Sequence, residues 1–424
     1  MVLDSNGLNM LSHLSEESTQ KNEKYRWFLL ALLAAIGTFV ASIQQSCMPV
    51  LFKEISDDLG LDLVQIGTIW GINSLAGIFI SIIAGFLSDR FGLKLVLSVL
   101  CVMSGITGAL RGISNSYLVL ATTVFLNGIF RLIIPVTITK TIGIWFKGKN
   151  LGLAMGIYVM GLGLGLMLGS MISSSVLSPF LGGWRNVLYF YGAIAVVMGI
   201  LWILFGREPH HINSNHVSSN VVPLRQSISK LIRNKALWLI GLMFLFRMGC
   251  LMGVAGYLPL YLREQGWEAA SADGVLAAFY AISTLCAIPL SFLSDRLGLR
   301  KPILYFALVV ALICISLIPV VEGRMIWFLI LLTGVFMDGS ISITFTILLE
   351  TEGINSAYSG TATGLLYTLT FIGIVVSPPL GNSLASINLG TPFFFWASLS
   401  VPALILLILT KETGSRGTHD IISR

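Results

Sequence analysis

Three charged residues lie far inside otherwise apolar stretches of the sequence: Arg131, Arg247 and Asp338. A charge in such surroundings costs several kcal/mol and is kept where it faces a water-filled path or a binding cavity. A guanidinium offers a planar fork of donors that suits the paired oxygens of a carboxylate, a phosphate or a nitrate-like anion. A buried carboxylate can pair with an arginine or carry a proton, because loss of hydration favours its neutral form. One carboxylate cannot neutralise two arginines, so this set keeps a surplus positive charge, which favours an anionic ligand. The competing structural reading is that Arg131 pairs with Asp338 and stabilises a closed state. Polar side chains accompany the charges. Thr123, Asn127 and Arg131 recur every four residues and so share one helix face, as do Asp338, Ser342 and Thr346. Gln44 and Gln45 add two amides, and Asn73, Tyr158, Tyr280 and Tyr367 are further candidates for a cavity wall.

The elements that must hold these residues follow from composition. Of 424 residues 55% are hydrophobic and only 11% charged, with a mean hydropathy of +0.87. A soluble domain carries roughly 25% charged residues. Apolar runs fall near 27–50, 64–88, 95–114, 117–138, 151–176, 186–205, 236–262, 271–293, 302–320, 325–349, 358–378 and 391–410. Each is close to the roughly 20 residues that cross a bilayer as a helix. None alternates as a barrel strand does, and only a helix satisfies its own backbone in lipid. The sequence therefore predicts an all-α membrane protein with twelve transmembrane helices. The first run is too long for a signal-peptide core and follows no cleavage pattern, so it stays as the first span. The five cysteines all fall inside apolar runs without metal-ligand spacing and read as small buried hydrophobes. No cofactor is expected.

The distribution of cations sets the orientation. With the N-terminus inside, nineteen Lys and Arg lie in cytoplasmic segments against five outside (Lys53, Arg111, Arg185, Arg263 and Arg324), and the two buried arginines complete the 26. This positive-inside bias places both termini in the cytoplasm of a multi-pass cell-membrane protein. The formal charge of +6 is thus distributed over alternate loops, and no nucleic-acid partner is expected. A polar stretch, roughly Gly206 to Lys235, divides the chain into six spans and six. The resulting division is a tail over 1–26, a bundle over 27–206, a linker over 207–235, a second bundle over 236–410 and a tail over 411–424. His210 and His211 in the linker lack the cysteines or carboxylates a metal site needs, and read as a solvated loop.

The two halves resemble each other. Ser88-Asp89-Arg90-Phe91-Gly92-Leu93-Lys94 after the second span matches Ser294-Asp295-Arg296-Leu297-Gly298-Leu299-Arg300 after the eighth. Met48-Pro49-Val50-Leu51-Phe52-Lys53-Glu54 matches Leu258-Pro259-Leu260-Tyr261-Leu262-Arg263-Glu264, and Asn127-Gly128-Ile129-Phe130 matches Thr333-Gly334-Val335-Phe336. Parallel six-helix repeats place a binding site at their interface.

Over essentially its whole length the sequence resembles the major facilitator superfamily of secondary transporters. Gly85, Asp89, Arg90, Gly92 and Lys94 match the family's loop signature, with Leu93 in place of the first basic residue of its final pair. The second copy keeps Asp295, Arg296, Gly298 and Arg300 but has Ser291 for the leading glycine. The segment from Trp145 to Gly156, and Gly183-Trp184-Arg185, are similar to the family's loops before helices 5 and 6. The resemblance implies two pseudo-repeat bundles around a cavity lined by helices 1, 4, 7 and 10, with the loop cluster latching the cytoplasmic side. Gly85 would permit close helix packing, and Asp89 would accept from a neighbouring helix N-terminus. Arg131, Arg247 and Asp338 fall on helices 4, 7 and 10. Under the repeat alignment Arg131 matches Met337, so Arg131 and Asp338 are expected to face each other across the halves. Gly152, Gly156, Gly161, Gly163, Gly165 and Gly169 on the fifth span are similar to the family's antiporter glycines, but Leu166 and Ser170 depart from them. Close packing is the reading kept, and antiport does not follow.

Other classes find little support. Gly143-x4-Gly148-Lys149 has Asn150 where a phosphate-cradling loop needs Ser or Thr, and no preceding strand. No catalytic motif of a membrane enzyme occurs. The expectation is a non-enzymatic secondary transporter, functional as a monomer in the lipid bilayer. It would move a small organic or inorganic anion such as a carboxylate by rocking its two halves. Arg131, Arg247, Asn127, Gln44, Gln45, Tyr280 and Tyr367 would bind that substrate, and Asp338 would act as switch or proton carrier. The alternatives are a proton-coupled exporter of cationic or amphipathic compounds, with Asp338 as the key acid, and a membrane sensor without turnover.

Overall fold

Runs that are apolar on every face leave the backbone no partner except its own helix, and each run is helical in the computed structural model. The structure describes residues 25–146, 149–207, 224–354 and 358–414, with backbone alone for 79–90, Lys149, Leu224, Arg225 and Ser227. Twelve spanning helices follow one another: α1 Tyr25–Leu59, α2 Leu63–Phe91, α3 Leu93–Ile113, α4 Tyr117–Trp145, α5 Asn150–Leu181 and α6 Trp184–Phe205, then α7 Lys235–Glu264, α8 Ala269–Leu297, α9 Lys301–Leu317, α10 Arg324–Glu350, α11 Ser359–Ser386 and α12 Thr391–Leu409. Ten are long and apolar enough to cross a membrane, and α9 and the described part of α2 are shorter apolar helices.

Several helices overrun their apolar cores. α1 continues past Val50 through Lys53, Glu54, Asp57 and Asp58 until Gly60, whose φ of 63° ends it in a left-handed cap. Asp62 then starts α2 with a reciprocal capping box: its side chain accepts from the Gln65 N–H at 2.7 Å, and Gln65 accepts from the Asp62 N–H at 3.1 Å. Gly92 and Gly298, at the same place in the two loop copies, have φ of 81° and 64°. That shared backbone need explains why both copies carry glycine there. The stretch read as a linker contains a short helix, Leu224–Ile232, whose Leu231 is buried in the core of the second half. Residues 208–223, with the histidine pair, lie outside the described residues.

An even number of spans returns the chain to one side. This near face carries Tyr25, Phe205, Lys235 and Leu409, with the Tyr25 hydroxyl donating to the Phe205 carbonyl. The far face carries Leu59, Leu63, Glu264 and Ala269. Toward the far face one apolar cluster joins the halves, packing Val50, Phe52, Trp70 and Leu120 with Leu258, Leu262, Leu276 and Phe279. Toward the near face the core divides. One cluster, around Leu30, Ile134 and Trp202, belongs to the first half, and another, around Phe244, Leu304 and Ile347, to the second. The halves meet along α2–α11 and α5–α8. A Cβ on Gly71 would stand 2.5 Å from the Val375 carbonyl oxygen, and one on Gly163 would stand 2.0 Å from Thr284 Oγ1. The helices approach this closely only because these positions have no side chain.

Candidate functional site

Among the helices that depart from α geometry, two are those that the buried arginines touch. α1 is π-helical over Gly37–Ser42, and α10 breaks at Phe336 between Arg324–Val335 and Met337–Glu350. Such departures redirect backbone carbonyls and are concentrated at functional positions. Each is held by one of the buried arginines. Arg131, on α4, donates through Nη1 to the Ala41 carbonyl and to Gln45 Oε1, both at 2.9 Å. Arg247, on α7, donates through Nη2 to the Met337 carbonyl at 2.9 Å, to the Phe336 carbonyl at 3.3 Å and to the Ser340 hydroxyl. The halves thus use one device with its parts exchanged. In the first an arginine on the fourth helix holds an irregular first helix; in the second an arginine on the first helix holds an irregular fourth. Met337, the repeat counterpart of Arg131, supplies the carbonyl that Arg247 holds.

Both arginines are 4% exposed, and neither forms an ion pair among the described residues. Arg131 Nε and Arg247 Nη1 are buried without a hydrogen-bond partner. Asp338 is half-buried, and its backbone N–H donates to Ser283 Oγ at 3.1 Å. Its electrostatic neighbours are Arg247 and Tyr280, both in its own half. Asp338 makes no hydrogen bond or ion pair with Arg131 among the described residues, so the Arg131–Asp338 pair of the competing structural reading is absent from this arrangement. A cavity of about 10 Å³ borders Arg247, Cys250, Thr333 and Ser400. That is the space of about one water.

The other predicted residues separate into two groups. Gln45 touches Arg131, whereas Gln44, one residue on, points into the first half. Its Oε1 accepts from Asn127 Nδ2 at 2.9 Å and from Ser104 Oγ at 3.3 Å. Asn127 also donates to the Ser104 carbonyl at 3.0 Å. Gln44 and Asn127 therefore form a buried lattice among α1, α3 and α4 beside Arg131. Tyr280 is buried with an unpartnered hydroxyl, and Tyr158 packs where Gly37 leaves room. Tyr367 is 40% exposed and lies against Phe345 and Phe371 with ring centroids at 5.1 and 6.1 Å. Ser342 is exposed and Thr346 half-buried, so the stripe below Asp338 runs along an open surface.

Arg111 was missed. Counted among the outside-loop cations, it is 1% exposed and donates to the Gly108 and Gln44 carbonyls, each at 3.1 Å. Two guanidiniums, Arg111 and Arg131, thus grip the α1 backbone around the exit of its π turn. The one available signal was that Leu110 and Ile113 flank Arg111 where a solvated loop would be polar.

Of the loop motifs, the second copy is tied within its own half. Arg300 pairs with Asp295 and, at 3.1 Å, with Glu350, while Glu412 accepts from the Arg300 and Lys301 backbone N–H groups at 2.8 and 3.0 Å. Arg296 is exposed, and Gly298 forms the turn. In the first copy Gly92 forms the turn and Lys94 is half-buried. The side chains at Asp89 and Arg90, and the surroundings of Gly85, lie outside the described residues.

Comparison with known proteins agrees with this architecture. The family model described as Major Facilitator Superfamily matches residues 34–352 and again 275–421. A nitrite extrusion protein of Bacillus subtilis is 25% identical over 367 residues, covering 86% of this chain and 82% of that protein. A bacillibactin exporter of the same organism is 27% identical over 415 residues, covering 90% and 95%. Among solved structures, an inward-facing, occupied bacterial homolog of the human lysosomal transporter Spinster superposes with a TM-score of 0.75 at 16% identity, covering 91% of this chain and 95% of that one.

Proposed function

This chain belongs to the Major Facilitator Superfamily, and from that premise we propose that it is a secondary transporter of a small anion, working by alternating access with a substrate site at Arg131 and Arg247. Membership makes it a multi-pass transport protein and not an enzyme. The observation that carries the anion reading is that each half buries a guanidinium held only by neutral acceptors. An ion pair would quench that charge. Carbonyl and amide oxygens orient it and leave its field intact, so an anion gains two charge-assisted contacts there. The similarity to a nitrite extrusion protein supports an oxyanion.

In this reading Gln45 and Ser340 aim the two forks, and Asp338, beside Arg247, competes with the anion for that arginine or takes a proton as the anion leaves. The near face is cytoplasmic, as the positive-inside bias indicates. The separate near-face cores correspond to a state open toward the cytoplasm. The transporter works as a monomer in the bilayer.

A thermal-shift screen of purified protein against nitrite, nitrate, short carboxylates, phosphate esters and lipophilic cations tests the proposal. An anion should raise the melting temperature, and Arg131→Gln and Arg247→Gln should each abolish that rise while still melting cooperatively. Stabilisation by cations alone, surviving in both variants but lost in Asp338→Asn, would instead support the second reading, a proton-coupled exporter. The 27% identity to a bacillibactin exporter supports the export part of that reading.

A further inference from the structure

At the far face the repeat-related dipeptides Lys53-Glu54 and Arg263-Glu264 interlock across the halves. Lys53 Nζ reaches Glu264 at 2.8 Å and Asp57 at 3.0 Å, in water-exposed positions. The complementary pair is bridged by a serine and lies deeper. Arg263 Nη2 donates to Ser174 Oγ at 2.7 Å, Ser174 donates to Glu54 Oε1 at 2.7 Å, and Ser178 donates to Glu54 Oε2. The same Arg263 nitrogen lies 2.7 and 2.8 Å from the two oxygens of Asp273. The Asp273 side chain is 0% exposed and that of Arg263 9%. Four helices, α1, α5, α7 and α8, meet at this cluster, and it ties one half to the other.

Its charges do not balance. Arg263 from α7 and Glu54 from α1 are the charged groups that act on Asp273, Lys53, Asp57 and Glu264 pair among themselves further out, and α5 offers the hydroxyls of Ser174 and Ser178. Glu264 and Asp57 are met by Lys53. The inner set then has two carboxylates, Glu54 and Asp273, around one guanidinium. Asp273 is shut away from water with half-buried Glu54 sharing its guanidinium network, so a surplus negative charge on the inner carboxylate is costly and a proton there relieves the cost.

We propose that Asp273 is a proton-binding site, completed by Arg263, Ser174 and Glu54 when the far face closes. Closure takes one proton from the water on that side onto Asp273, and opening returns it. Acid on the far side therefore favours the closed seam, with a closed-to-open ratio that changes up to about tenfold per pH unit. The inference rests on alternating access but not on the anion site.

The test uses full-length protein with its native cysteines replaced and spin labels at Asn115→Cys and Gln265→Cys, far-face positions in opposite halves. Inter-label distances are measured from pH 5.5 to 8.5 in liposomes. The short-distance population should grow on acidification. Glu54→Gln should stay closed across the range with the slope lost, Asp273→Asn should also lose the slope, and Arg131→Gln should keep it. A slope unchanged in Glu54→Gln and Asp273→Asn, or two distances whose proportions ignore pH, would overturn the proton site. A single distance under every condition would instead contradict alternating access itself.

Discussion

A guanidinium held by carbonyl oxygens keeps its charge and acquires a direction, and the chemistry of Arg131 and Arg247 turns on that combination. Arg131 is aimed by Gln45 Oε1 and the Ala41 carbonyl at 2.9 Å. Gln45→Leu should leave the arginine charged but badly aimed. A lost hydrogen bond to a charged group is worth about 1.5–3 kcal/mol, so the concentration for half-maximal uptake should rise about tenfold or more, with little change in melting temperature. Saturation kinetics on reconstituted protein check this. Gln44→Leu, buried in the lattice with Asn127 and Ser104, should instead lower stability. At this scale the sequence was legible where charge interrupts a long apolar run, which is why Arg131, Arg247 and Asp338 stood out. Arg111, Glu54, Arg263 and Asp273 lie at the ends of runs, where buried residues look like ordinary interfacial anchors. Only three-dimensional packing separates Arg111, gripping the α1 backbone, from Arg324, exposed at the start of α10.

At the scale of elements, the irregular turns of α1 and α10 present the carbonyls that the arginines hold. The α1 turn was invisible in the sequence because Gly37–Ser42 is as apolar as its neighbours, and at α10 Asp338 marked a buried charge without marking the break at Phe336. Helix number and order were legible, since twelve runs of membrane-spanning length admit few alternatives. Helix ends were less so: hydropathy marks the lipid boundary, whereas Gly60 and the Asp62–Gln65 capping box mark the ends of the hydrogen-bonded chain. Helix contacts also depend on missing side chains. Gly71→Val would drive its side chain into the Val375 carbonyl, 2.5 Å from the first added carbon. Overpacking costs roughly 1–3 kcal/mol. The variant should melt at a lower temperature and favour the open far-face seam, as spin-label distances across that seam would register.

For the whole molecule, the far-face core shared by both halves and the two separate near-face cores describe a protein closed on one side. The internal repeat announced this architecture in the sequence, and the exchanged roles of arginine and irregular helix add what the repeat alone did not convey. Each half buries one guanidinium held by neutral acceptors, Arg131 in the first and Arg247 in the second. In the proposed reading a solute held by both is released from one when the halves rock, so an anion would be bound tightly only while the two arginines act together. Uptake of radiolabelled anion into proteoliposomes, by the native protein, by Arg131→Gln and Arg247→Gln singly and by the double variant, tests that claim most directly. The account predicts saturable anion uptake, a loss of at least about tenfold in each single variant, and a double variant scarcely worse than either. Saturable uptake of the same anion with unchanged affinity in both single variants would contradict it.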